Sequence, residues 1–308
     1  MRSERQARRL VVSALTALLA TASISACSGG TPARPEVVDE RNPLALFLGE
    51  SLGLIDYAQL KLRNECLAEA GYRQNLETMM DRPIPAFATF AITARTFGPT
   101  TEQEARRVGF GRDQPAEPSP VVSFDPNYDR TMDECGEKAW DRLGDDVRDI
   151  YHSYFDLGNK IAGSLMKTVH DRLDKGIPAK MLACVRESGY RTTDEEEFLR
   201  TPRPQLLGVA FGAVDQTSAT EWQPAKKPGT VEVGPAVPAL RYHPTAEESE
   251  LAVVWLRCRQ RTTLAEQQLA VAVAVQKEMV TRYETSFTEL NPRIRDIAKQ
   301  ATALIGTR

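Results

Sequence analysis

The stretch CLAEAGYR at residues 66–73 recurs as CVRESGYR at residues 184–191, and this repeat decides the predicted fold. Five of the eight positions are identical, namely the cysteine, glutamate, glycine, tyrosine and arginine. In each copy the glycine suits the position just past a helix end, where the backbone turns left-handed, and the tyrosine covers the helix residue that follows the cysteine. The motif therefore predicts two helix ends that are capped in the same way.

Further matching elements follow each copy in the same order, which indicates a tandem duplication. VGFG at residues 108–111 corresponds to VAFG at residues 209–212, and each is followed by another cysteine. We call these two segments the Phe-Gly elements. The duplication predicts a first helical module at residues 44–176 and a second at residues 177–308.

The cysteines in the repeat predict two disulfides. Cys66, Cys135, Cys184 and Cys258 are an even number in a chain that is expected in an oxidising compartment. Four cysteines allow three pairings. The order of the repeated elements favours Cys66 with Cys135 and Cys184 with Cys258, so that each disulfide closes one module.

The repeated segment, the Phe-Gly element and the returning cysteine resemble a family of actinobacterial secreted proteins and lipoproteins. Those proteins carry a Cys-x4-Gly-aromatic segment, an aromatic-Gly element and a second cysteine near a Glu-rich helix start, here residues 245–250. This chain departs from the usual form because it is doubled and lacks Met after the first cysteine. The family has no established activity, so the resemblance implies a location and an architecture, not a reaction.

The first residues predict export and a lipid anchor. A basic stretch, the apolar residues 10–20 and the segment ISAC ending at Cys27 follow the order of a signal peptide over residues 1–26. ISAC resembles a bacterial lipobox, which implies a diacylglyceryl group and acyl chains such as palmitate on Cys27; a secretory signal with a stray cysteine is the alternative. Residues 27–43 are expected to be a flexible tether. The chain is therefore expected on the extracytoplasmic face of the cell membrane, anchored by lipid.

Helix signals fill most of both modules. Asp125 followed by Pro126 predicts a helix start, and one long helix is expected from there to Lys175. Apolar residues at steps of three and four mark this helix and the final one, which favours two helices of one bundle over an intermolecular coiled coil. The stripes are Trp140, Leu143, Val147, Ile150, Tyr154, Leu157 and Ile161, and Val280, Tyr283, Phe287, Leu290, Ile294, Ile297, Ala301 and Leu304.

The predicted fold class is thus mainly α, with two disulfide-stapled helical modules whose long helices pack as a bundle. Short irregular or β segments are expected at residues 112–126 and 201–244, which are rich in Pro and small residues. Residues 270–275 alternate Ala and Val and suit a helix or a strand.

Composition and charge restrict the class of partner. With 308 residues, 42% of them hydrophobic, the chain can bury a sizeable core. The formal net charge is −3, and residues 1–26 carry four arginines and one glutamate, so the chain from Cys27 onward has a formal charge of −6. This acidic balance, without a basic aromatic patch, argues against nucleic acid as a partner.

Two patterns suggest catalysis, and each also has a structural explanation. GESLG at residues 49–53 matches the nucleophile elbow of hydrolases around Ser51, but a polar tether precedes it where an elbow needs a sheet. His152, His170 and His243 lack a second ligand at metal spacing. No catalytic residue, metal ligand or cofactor is therefore predicted.

Binding, not catalysis, is the expected function. Acidic clusters at residues 194–197 and 247–250 suit helix starts, whose dipoles attract negative charge, better than a weak calcium site. We expect a non-enzymatic surface lipoprotein that binds a protein partner in the cell envelope. Two alternatives stay open: a receptor for a small molecule or peptide that serves a transporter or sensor, with its pocket between the modules, and an envelope hydrolase that uses Ser51.

Overall fold

The computed structural model describes residues 39–215 and 222–306, and most of these residues are helical, which confirms the predicted fold class. The predicted signal peptide, Cys27 and most of the tether lie outside the described residues. The α-helices in the described ranges are α1 (Gly49–Glu69), α2 (Gln74–Glu77), α3 (Glu102–Val108), α4 (Pro126–Leu143), α5 (Val147–Asp171), α6 (Ile177–Glu187), α7 (Glu195–Arg200), α8 (Ala246–Arg261), α9 (Leu264–Arg282) and α10 (Glu284–Ile305). The strands there are β1 (Val121–Ser123), β2 (Ala213–Val214), β3 (Val231–Val233) and β4 (Tyr242–His243).

The two repeated helix ends have the predicted Schellman cap. At the end of α1, the Tyr72 N–H donates to the Leu67 carbonyl at 2.8 Å. At the end of α6, the Tyr190 N–H donates to the Val185 carbonyl at 3.1 Å. Gly71 and Gly189 adopt φ values of +102° and +91°, a backbone conformation that costs other residues free energy.

The prediction of one helix from Pro126 to Lys175 is wrong. Gly144 ends α4 with a φ of +130°, and α5 begins three residues later at Val147. The apolar spacing continues across this break, which is why the pattern alone gave a single helix. The final stripe is likewise divided at Tyr283 between α9 and α10, and α9 includes residues 270–275.

The larger core lies among α1, α4, α5, α9 and α10, and we call it the bundle core. Tyr154 is fully buried at its centre. Its hydroxyl donates to Asn291 Oδ1 at 2.6 Å and accepts from the Leu48 N–H at 2.8 Å, and the Asn291 amide donates to the Leu46 carbonyl at 3.1 Å. Pro292 follows within α10, and this polar network sits beside it.

A smaller core, which we call the α8 core, forms where α6 and α7 pack on α8. Phe198, Met181 and Leu251 are fully buried there. The opposite face of α8 packs against α3, so α8 is covered on two sides. Leu264 at the start of α9 also belongs to this core, whereas Ala272 and later residues of α9 enter the bundle core.

The two halves of the sequence are interleaved in space. The bundle core combines α1, α4 and α5 with α9 and α10, which lie on the other side of the predicted boundary at residue 176. An irregular antiparallel ribbon also crosses it: β1 pairs with β3, and two isolated bridges extend the pairing toward β4, which itself pairs with β2. All described residues belong to one compact unit.

Candidate functional site

A cleft of about 1330 Å³ lies where the bundle core meets the α8 core. Its floor is the α8–α9 hairpin, and residues 88–98, 170–178 and 199–205 supply most of its walls. Residues 107–113, which include the first Phe-Gly element, close the remaining side. Small-molecule sites usually measure roughly 300–1,000 Å³, so this cleft has room for a larger ligand or a short peptide.

Helical periodicity places two pairs of side chains on the cleft floor. Trp255 and Arg259 are four residues apart on α8, as are Leu264 and Gln268 on α9, so each pair shares one helix face. Trp255 and Leu264 are 6% and 4% exposed. The floor therefore combines an apolar surface with one cation and one amide.

Arg259 is a buried cation without a carboxylate partner. It is 2% exposed, and among the described residues no Asp or Glu forms an ion pair with it. Its Nη2 donates to Gln268 Oε1 at 3.2 Å, whereas its Nε has no hydrogen-bond partner. Burial lowers the pKa of Arg259, but a guanidinium keeps its charge at neutral pH. Such a charge is costly unless an anion compensates it.

The guanidinium of Arg259 packs close to Gly98 in the cleft lining. Gly98 lies opposite Arg259 Nη1, and a side chain at position 98 would place its first carbon 3.1 Å from that nitrogen. Gly98 has a φ of +126° and lines the cleft. The glycine therefore lets this wall approach the guanidinium, where a side chain would crowd Nη1.

Several charged side chains on the cleft walls differ from Arg259 because they form ion pairs near the surface. Arg95 forms an ion pair with Glu104 at 2.8 Å, and Arg200 forms one with Glu197. Asp171 pairs with Lys167 on the outer face of α5. These surface pairs contribute little to stability, since water already solvates them.

A buried carboxylate joins the two Phe-Gly elements beside the cleft. Glu248 is fully buried; its Oε1 accepts from the Phe110 N–H at 2.8 Å and its Oε2 from the Gly212 N–H at 2.7 Å. The Tyr242 hydroxyl donates to both oxygens, at 3.1 and 2.9 Å. Burial, and then the bond to Glu248, raise the pKa of Tyr242 to about 12, so this phenol stays a donor at neutral pH.

This arrangement explains the repeated Phe-Gly spacing. The rings of Phe110 and Phe211 lie 5.6 Å apart, and each element gives one N–H to the same carboxylate. A side chain at Gly111 would collide with the Tyr242 ring, and one at Gly212 with the His243 carbonyl. The first element lines the cleft, so Glu248 holds one wall in place.

The cysteines pair as the repeat predicts. Cys66 bonds to Cys135 and ties α1 to α4, whereas Cys184 bonds to Cys258 and ties α6 to α8. Cys258 directly precedes Arg259 in α8. The second disulfide therefore anchors the helix that carries the cleft floor.

Ser51 lies in the first turn of α1, after the 3-10 turn Pro43–Leu46, and not between a strand and a helix. Among the described residues, no histidine forms a hydrogen bond with its hydroxyl. The flanking glycines have a packing role: a side chain at Gly49 or Gly53 would collide with the carbonyl of Ala86 or Ile84. The GESLG pattern is thus explained by close approach of the 84–86 backbone to α1.

The remaining polar patterns are dispersed. His152 lies beside Trp140, the His170 ring contacts the Arg200 carbonyl at 3.0 Å, and His243 lies in β4. Within the described ranges, no group of three or more His, Cys, Asp or Glu side chains is placed to hold a metal ion. In the first acidic cluster, Asp194 caps α7 and residues 195–197 form the first turn of that helix; the second cluster, residues 247–250, includes the buried Glu248.

Sequence reasoning did not single out Trp255, Arg259 or Gln268. Arginines occupy positions 257, 259 and 261 of α8, and nothing local separates them. In the structure Arg257 pairs with Glu102 and Arg261 with Glu187 at the surface, whereas Arg259 points inward. The four-residue step from Trp255 was the one available signal, because it places Arg259 on the same helix face as a large apolar side chain.

The fold and the cleft define a class: a helical, disulfide-stapled protein with an open cleft over a buried guanidinium. In comparisons with known proteins, no family model, no curated protein and no solved structure matches the chain. In the part of the chain that is described, no helix has the length and apolar character that a membrane span requires.

Proposed function

We propose that the chain is a lipid-anchored, non-enzymatic binding protein of the cell envelope whose cleft receives a small molecule or a short peptide. The observation that carries this proposal is the cleft of about 1330 Å³, with its apolar floor and the buried guanidinium of Arg259. Pockets that bind organic ligands combine an apolar surface with polar groups that fix orientation, and here the floor supplies the apolar surface and Arg259 a polar group.

The position of the cleft supports a receptor in which the two cores frame the ligand. The floor belongs to α8 and α9, and α9 runs from the α8 core into the bundle core. A ligand on this floor would contact both cores at once, so binding would be coupled to their relative packing. A lipid on Cys27 would keep such a receptor at the outer membrane face, where it could serve a transporter or sensor.

An envelope protein partner is the second candidate function, and one observation favours it. Leu76, Met80 and Ile84 are 38%, 39% and 59% exposed on the segment that follows α1. These residues follow one another at intervals of four in the chain, and a patch of exposed apolar side chains is typical of a protein contact. This segment is separate from the cleft lining, so both functions are compatible.

Blocking the cleft tests the receptor proposal. The purified full chain in detergent is screened with small organic ligands and short peptides, and a binder at 100 times its Kd should raise Tm by roughly 5 to 10 °C. Ala91 is exposed and lines the cleft, so Ala91→Trp should fill the cleft opening and remove that rise.

The matched control is Ala94→Trp, because Ala94 is exposed on the same segment but is not part of the cleft lining. This variant should bind as the parent does. An undiminished Tm rise in Ala91→Trp would place the ligand elsewhere and contradict the proposal.

A further inference from the structure

We propose that the ligand carries a carboxylate, which binds the guanidinium of Arg259 on the cleft floor, next to an apolar group that packs near Trp255. This inference rests on the proposed function and specifies the chemistry of its ligand. The buried Arg259, its place in the cleft lining, its lack of a carboxylate partner among the described residues and its unpaired Nε carry it.

A structural explanation for Arg259 is weaker. A buried arginine that stabilises a fold is expected to have a carboxylate or several carbonyl oxygens around its donors. Within the described ranges Arg259 has one hydrogen bond, to a neutral amide at 3.2 Å, for its five N–H donors. Neutral replacement of a poorly compensated buried charge is often harmless to the fold, so its presence in the cleft needs another reason.

Guanidinium and carboxylate match in geometry and charge. The planar guanidinium offers paired N–H groups to the two oxygens of a carboxylate, and such bonds strengthen when water is excluded. Gln268 already holds Nη2, which fixes the orientation of the plane. Among the described residues the guanidinium has no other hydrogen bond, so Nη1 keeps its N–H groups for a carboxylate in the cleft.

The cleft favours an organic anion over inorganic phosphate. Its lining carries more cations than carboxylates, since Arg95, Arg107, Arg112, Lys175 and Arg200 accompany Arg259 against Glu104, Asp113, Asp171 and Asp174, and this excess of positive charge attracts an anion. The aromatic and aliphatic floor next to Arg259 favours an apolar group close to the acid. A free organic acid and the C-terminus of a peptide both have this chemistry.

Paired probes that differ only in charge test the inference. The full chain is titrated with 3-phenylpropionate and with 3-phenylpropionamide, and in a second arm with acetyl-Ala-Ala-Phe as the free acid and as the C-terminal amide. Thermal shift and tryptophan fluorescence report binding, since Trp255 lines the cleft. At least one acid should bind about tenfold or more tightly than its amide, and the arm that responds identifies a small acid or a peptide terminus.

Variants of Arg259 separate recognition from folding. Arg259→Met should fold, with an unchanged or higher Tm, and should lose the preference for acid over amide. Arg259→Lys, which keeps the charge but not the planar fork, should retain part of that preference. Arg257→Met is the matched control because it removes an exposed arginine two residues away in the same helix, and its preference should equal that of the parent.

The outcomes are distinguishable from a failure of the proposed function. Equal binding of acid and amide, no acid binding at all, a preference that survives in Arg259→Met, or inorganic phosphate that binds as tightly as the acids overturns the carboxylate inference. If an amide binds and Ala91→Trp removes that binding, the cleft function stands without the carboxylate. If acids bind equally well to Arg259→Met and Ala91→Trp, the cleft is not the site and the proposed function fails with it.

Discussion

The two copies of the repeated octapeptide end their helices with the same hydrogen bonds but lie in different surroundings. After α1, the Tyr72 ring packs edge-on against Tyr128, and its hydroxyl donates to Asp125 at 3.2 Å. After α6, Tyr190 packs against the α8 core. The comparison teaches that the motif specifies the helix end alone, while its surroundings depend on the helices on either side.

Helix length explains much of that difference. α1 has 21 residues and extends into the bundle core, so its cysteine end lies in a small separate cluster with Tyr128 and Cys135. α6 has 11 residues and packs wholly within the α8 core, where Cys184 and Cys258 are both buried. The first disulfide therefore staples the end of the bundle, and the second staples the cleft floor.

Removal of each disulfide is the strongest test of this comparison. The bonds span 69 and 74 residues, so Cys66→Ala with Cys135→Ala and Cys184→Ala with Cys258→Ala should each cost about 4 kcal/mol in the chain-entropy model. Chemical denaturation of the full chain measures both losses. Only the second pair should also weaken ligand binding, because it releases α8 beside Arg259.

The two double variants serve as controls for each other. Weaker binding after loss of the first disulfide, or intact binding after loss of the second, would contradict the separate roles assigned to the two staples.

Replacement of Glu248 should give the next largest loss in the free energy of unfolding, because Glu248 connects the two Phe-Gly elements. Glu248→Ala leaves two backbone N–H groups and the Tyr242 hydroxyl without their acceptor, and should cost about 3 kcal/mol in the free energy of unfolding. Glu247→Ala is the matched control, since Glu247 is exposed in the same helix turn and should lose less than about 1 kcal/mol. Similar losses in both variants would reduce Glu248 to an ordinary helix-start charge.

Replacement of the two cap glycines should give the smallest losses of stability, and the two losses should be nearly equal. Gly71→Ala and Gly189→Ala should each cost about 1 kcal/mol, because a side chain there meets no neighbour within 4 Å and the only penalty is the positive φ. Gly136→Ala, in the middle of α4 and equally free of neighbours, should stabilise the protein by up to about 1 kcal/mol. Urea denaturation gives all three values, and a clearly unequal pair of losses would show that the caps depend on their surroundings.

Local signals predicted the caps and the helix starts, and the order of the repeated elements predicted the disulfide pairing. Asp125 caps α4 before Pro126, and Thr245 caps α8 by accepting from the Glu248 N–H at 3.0 Å. Caps and helix starts depend on residues within one or two turns, so they can be predicted from the sequence. The break at Gly144 was missed because the apolar spacing runs on through it.

The candidate site was less accessible to sequence reasoning. Glu248 was interpreted as part of a helix-start cluster, yet its side chain is buried and reaches residues 110 and 212. Arg259 has the same local sequence context as the exposed Arg257 and Arg261. The roles of both residues depend on partners that are far away in the chain.

The sequence by itself determined the mainly helical class, the repeated caps and the partner of each cysteine, because periodicity, turn preference and order of repeats are short-range or one-dimensional properties. Only the tertiary structure decided that α9 and α10 complete the core begun by α1, and that the second disulfide stands beside a cleft. The tertiary structure also decided that Arg259, and not Arg257 or Arg261, is buried away from water. Burial depends on how distant helices pack together, and desolvation is what distinguishes the charge of Arg259 from the charges of its neighbours.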